Sequence, residues 1–179
     1  TVKRTVDSSS EPLSVSEAKE HLRVTSSDDD TYISNLIKVA RQSAEISTRR
    51  CLISGTTYVA SYKYFPFVYN HLRIPNPPLV SVSHIKYYEY IVESTLEDSA
   101  LIGFNDAFTR PTLSRERMAP IQVQFEAGYT ETPIAIKQAM LLLISHYYDT
   151  REPISFTGEP FKIPRSVDFL LQQYAIRSI

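Results

Sequence analysis

The chain has 179 residues, with 19 Lys and Arg against 20 Asp and Glu, and 11 Pro against only 4 Gly. A chain of this length buries roughly 70% of the surface it exposes when unfolded, so its core needs no covalent staple. The near-zero net charge excludes a polycation that grips nucleic acid by phosphate neutralisation alone, and the lone Cys51 excludes a disulfide framework or a Cys-based zinc site.

Residues 1–12 are polar and rich in serine, and read as a flexible N-terminal arm. No apolar run follows Lys3 and Arg4, so no secretory signal is expected. Nor does any stretch approach the roughly 20 apolar residues of a membrane helix, and the expectation is a soluble protein made in a reducing cytosol. Ser14 with Glu17 forms a capping box, and Ala18 and Leu22 mark the inner face of a helix over 14–24. Asp28-Asp29-Asp30 suit the positive N-terminus of a second helix, predicted over 29–51. Its apolar stripe is Ile33, Leu36, Ile37, Ala40, Ala44 and Cys51, and Arg49-Arg50 fall in its last turn.

From Thr56 the period becomes that of strands. Thr56 to Tyr62 and Val80 to Tyr88 are rich in β-branched and aromatic residues, and Ile121 to Glu126 alternates strictly. Pro75-Asn76-Pro77-Pro78 interrupts them, and the stretch from Glu89 to Met118 has no clean period. A third helix is predicted over 133–149, with Thr132 as its capping hydroxyl and Pro133 in its first position. Ile136, Ala139, Met140, Leu143, Ile144 and Tyr147 form its stripe, and Leu141 and Leu142 suggest burial nearly all round. Pro164 opens a last amphipathic segment with Val167, Leu170, Leu171 and Tyr174 on one face. The fold class is α+β, mainly α: a bundle of about four helices with an antiparallel β insertion, 56–128, between the second and third.

Groups suited to catalysis are scattered. His21, His71, His84 and His146 form no metal-ligand spacing, and there is no nucleophile elbow or Gly-rich phosphate loop. Asp28 to Asp30 lack the alternate spacing and glycine of a calcium loop. Tyr87-Tyr88-Glu89-Tyr90 could stack bases, but in a β segment with few cations the tyrosines are expected to pack on a sheet or partner. His146, Asp149 and Glu152 could share a face in a small hydrolase, yet no oxyanion donor accompanies them. A helix-turn-helix regulator built on the first two helices would present an acidic turn to phosphate. The expectation is no catalysis, cofactor or metal.

The order and spacing of several segments resemble a known family. They are Pro12 to Val24 with the Asp-rich turn and Tyr32 to Ile37; Ala40-Arg41 and Glu45 through Ile53; Phe65-Pro66, Ile74-Pro75 and Pro77 to Val82; Phe125 to Tyr129; Pro133 to Met140; His146 to Glu152; and Pro164 with Val167, Leu170 and Leu171. The chain resembles the head–tail connector proteins of tailed phages, the adaptor or head-completion proteins. The resemblance implies a ring, commonly of twelve copies, placed in the virion neck after assembly in the host cytoplasm. Its implied partners are further copies of itself, the portal protein, a stopper or tail-completion protein, and DNA passing through the lumen without sequence specificity. A stopper or tail-terminator role in the same neck is the alternative. On this reading 13–160 is a single adaptor domain and 161–179 a docking segment, whose Phe161, Phe169, Leu170, Tyr174 and Ile176 are the candidate portal or inter-subunit contacts.

Overall fold

The computed structural model describes residues 1–6, 10–63, 74–89, 92–96, 121–150 and 165–176. Among them are nine elements: β1 (Val2–Val6), α1 (Val15–Leu22), α2 (Asp30–Thr48), β2 (Thr56–Tyr62), β3 (Leu79–Glu89), β4 (Val92–Leu96), β5 (Ile121–Ala127), α3 (Ile134–Asp149) and α4 (Arg165–Gln172). The strands belong to one compact unit, 1–10 with 49–130, and the helices to another, 11–48 with 131–179. The fold is α+β with helix and strand in comparable measure, and four of the five strands lie between α2 and α3 in the chain.

In the strand unit all pairings are antiparallel, in the order β1-β2-β5-β3-β4. Alternation puts Tyr58 and Ala60 of β2 and Val123, Phe125 and Ala127 of β5 on one buried face, with Val82, Ile74 and Cys51. Tyr58 and Phe125 are register partners, and their rings stack at 5.5 Å. Gly128, at φ 132°, ends β5 where only glycine fits, because a Cβ there would lie 1.9 Å from the Ile53 carbonyl oxygen.

Residues 2–6, read from sequence as part of a flexible arm, are the edge strand β1. Their pairing with β2 satisfies backbone groups that would otherwise face water, and Thr5 Oγ1 donates to the Thr57 carbonyl at 3.0 Å. The Arg4 guanidinium lies 5.9 Å from the centre of the Tyr58 ring.

In the helical unit α1 starts on the expected capping box. The Glu17 N–H donates to Ser14 Oγ, and the Ser14 N–H donates to the Glu17 carboxylate. The helix stops at Leu22, short of 24, because Arg23 turns left-handed at φ 57°. The Arg23 and Val24 N–H groups then close back on Glu20 and Lys19. Arg49, also left-handed at φ 57°, ends α2 at Thr48. Arg49 and Arg50 therefore lie beyond the last turn, and Cys51 belongs to the core of the strand unit instead of the α2 stripe.

The remainder of that stripe, Ile33 through Ala44, is buried as expected. Helix α3 packs against α1, α2 and α4. It buries Ile136, Ala139, Met140, Leu143 and Ile144, whereas Leu141 and Leu142 are half-buried, so one face carries the core instead of the whole circumference. Pro133 occupies the cap position of α3 with no side-chain cap bond, and Thr132 is buried one residue earlier than a capping hydroxyl requires.

Candidate docking surface

The carboxylates of the Asp-rich turn are engaged in structure. Asp28 accepts from Ser26 Oγ at 2.6 Å, Asp29 from the Tyr148 hydroxyl at 2.6 Å, and Asp30 pairs with Lys19 at 2.6 Å. The three carboxylates thus turn to three different partners and do not converge. Among the described residues no group of three His, Cys, Asp or Glu is arranged to hold a metal ion. His146 is half-buried with its ring 5.8 Å from that of Tyr147, Asp149 is exposed, and Glu152 lies outside the described residues, as do His71 and Tyr90. Tyr87 and Tyr88 pair with Ser94 and Glu93 across β3 and β4.

The one buried cation of the helical unit, among the described residues, is Arg41. Its Nε reaches Glu11 at 2.8 Å and its other arm reaches Glu45 at 3.0 Å. Two carboxylates compensate the desolvated guanidinium, which ties the chain ahead of α1 to α2.

Exposed apolar side chains are the more informative feature. Helix α4 buries Val167 and Leu171, which leaves Phe169 on its opposite side, 69% exposed. Leu170 and Tyr174 are half-buried at the margin. Phe169 and Ile176, seven residues apart, do not share a helical face, because the helix ends at Gln172. The chain then turns, and the Ile176 N–H donates to the Thr48 carbonyl at 3.1 Å, capping the end of α2. Phe161 lies outside the described residues.

In the helical unit three further large apolar side chains are exposed, none of them expected from the sequence: Val39 at 44%, Ile46 at 79% and Ile134 at 84%. The seven-residue spacing of Val39 and Ile46 was the available signal, since it places both on one side of α2, away from the buried stripe. None of the described helices is long and apolar enough to cross a membrane.

A surface of exposed aliphatic and aromatic anchors without convergent polar chemistry suits contact between proteins. The model of one protein family, head completion protein, matches residues 11–174. The chain belongs to the head completion protein family.

This head completion protein shares its fold with a chain in the virion of a native gene transfer agent (GTA) particle, at TM-score 0.79 and 19% identity over 99% of this chain and 96% of that one. A chain in the neck of the empty GTA particle, computed with C6 symmetry, gives TM-score 0.79 at 19% identity over 100% and 97%. One in the neck of the native particle, computed with C12 symmetry, gives 0.76 at 18% over 100% and 97%. No curated protein matches the sequence.

Proposed function

We propose that this head completion protein is a structural subunit of the phage neck. It forms a ring adaptor that binds the portal, receives a stopper or tail-completion protein below, and lets DNA pass through its lumen. The observation that carries the reading is the family match, which runs over residues 11–174 and so takes in all four helices. The shared fold with neck chains of a GTA particle supports it, as does the C12 symmetry with which one of those necks was computed. A net charge of −1 fits a channel through which DNA slides without being gripped, since tight phosphate binding needs a basic excess.

Phe169, with Leu170 and Tyr174 at its margin, is the portal-facing contact in this proposal, and Phe161 is expected to extend it. Exposed aromatic anchors dominate many interfaces, at about 2 kcal/mol or more each. Co-sedimentation with purified portal should therefore show Phe169→Asp binding at least about thirtyfold more weakly than the wild type. If the wild-type chain itself fails to sediment with portal, the adaptor reading falls. If the variant binds as the wild type does, the docking role belongs to another face.

A further inference from the structure

The most exposed large apolar side chains of the helical unit lie on two separate patches of different charge. The first is the outer side of α2. Asn35, Val39, Gln42 and Ile46 follow one another at spacings of four, three and four, the seam spacing of helices that pack along their length. All four are exposed, Ile46 at 79%, and the buried stripe of the same helix runs along the opposite side. Lys38 is the exposed charge beside this seam, and the nearby Glu45 is turned to the buried Arg41.

The second patch surrounds Ile134, which is 84% exposed on the first turn of α3, on the side away from the buried Ile136, Ala139 and Met140. Its neighbours are acidic. Glu131 is exposed three residues earlier, and Lys137 reaches Glu17 of α1 at 3.7 Å, which brings that carboxylate to the same end of α3. Glu131 and Glu17 outnumber Lys137.

We infer that these two patches are the two halves of one contact between copies of this chain: the α2 seam of one copy seats on the Ile134 patch of the next. Three features select a second copy as the occupant. Each patch has an apolar centre, so each supplies what the other must bury. Their surrounding charges are opposite, basic on α2 and acidic around Ile134. Each is turned away from the core the two helices share, so the contact leaves the complementary patch of each copy free and propagates head to tail, as cyclic assembly requires. Two α2 seams meeting symmetrically would instead bring together two surfaces that both carry the positive Lys38. The inference rests on the neck-ring reading and names the surface that closes the ring, separate from the Phe169 side assigned to the portal.

The test is sedimentation velocity of the full chain over a range of concentrations, for the wild type, Ile46→Glu, Ile134→Glu and a 1:1 mixture of the two variants. Both side chains are solvent-exposed, so circular dichroism should report an unchanged fold. The wild type is expected to form species larger than dimers. Each variant alone should associate at least about thirtyfold more weakly, the cost of one lost interface anchor. The mixture should recover a dimer and stop there, because one copy offers an intact seam, the other an intact Ile134 patch, and the two altered patches repel.

Assembly of both variants at wild-type strength overturns the contact while leaving portal binding, and with it the neck reading, untouched. Loss in Ile46→Glu alone, with Ile134→Glu assembling fully, overturns the pairing in favour of a symmetric seam. A wild type that stays monomeric throughout overturns self-contact, and portal co-sedimentation then judges the neck reading separately.

Discussion

The capping box of α1 puts a titratable group in control of a helix terminus. The Ser14 backbone N–H and then its hydroxyl donate to Glu17, with Lys137 adding attraction, and together they hold this carboxyl below the usual carboxylate range. A folded pKa lower than the unfolded one means that the ionised carboxylate stabilises the fold at neutral pH. That contribution is complete above the unfolded value and is lost as pH falls through the lowered folded value. Ser14→Ala removes the hydroxyl but keeps the backbone donor. It should cost about 1 kcal/mol at neutral pH and move the Glu17 titration only part of the way back. NMR titration of the two proteins checks this, and an identical Glu17 curve in both would remove the hydroxyl from the account. Leu143 represents the opposite kind of residue, buried on α3 with no polar role. Leu143→Ala should cost about 2–5 kcal/mol in a denaturant melt, and a loss below about 0.5 kcal/mol would mean that this face of α3 does not pack in the core.

Helix α4 is both a piece of the core and a carrier of the exposed Phe169. It has eight residues, too few to be stable in isolation, so it owes its form to burying Val167 and Leu171. The residues after it cap α2 through Ile176. Sequence reasoning treats 161–179 as a docking segment outside the 13–160 domain, so deleting 165–179 would be expected to leave that domain folded. The buried positions of Val167 and Leu171 instead predict that this truncation destabilises the helical unit by about 3–6 kcal/mol. Thermal and denaturant melts of the truncated chain check this, and an unchanged midpoint would mean that the two side chains contribute nothing to the core. Loss of portal binding on truncation would then mix unfolding with lost contact, which is why Phe169→Asp is the cleaner probe.

At the scale of the whole molecule, a subunit that works by contact has to present different surfaces to different neighbours. The portal and a second copy are assigned here to the Phe169 side of α4 and to the pair formed by the α2 seam and the Ile134 patch. Phe169→Asp should therefore weaken portal binding and leave the association of free copies intact, whereas Ile46→Glu and Ile134→Glu should do the reverse. Loss of both properties in any one of these variants would mean that the two surfaces are one.

Sequence alone determined the features that depend on near neighbours in the chain. The capping box at Ser14 needs only Glu17, the α2 stripe needs apolar residues three and four apart, and β5 needs alternation over Ile121 to Glu126. The order of such segments also carried the family resemblance. Tertiary structure decided whatever joins remote segments. The pairing of Lys3 with Val59 turns an apparent arm into an edge strand, and β5 enters the sheet between β2 and β3. Ile176 caps Thr48 from the far end of the helical unit. Left-handed turns at Arg23 and Arg49 stop two helices without glycine, where local propensity favours continuation. Each depends on contacts whose loop-closure cost is repaid only when the whole unit packs, so no short window of sequence contains it.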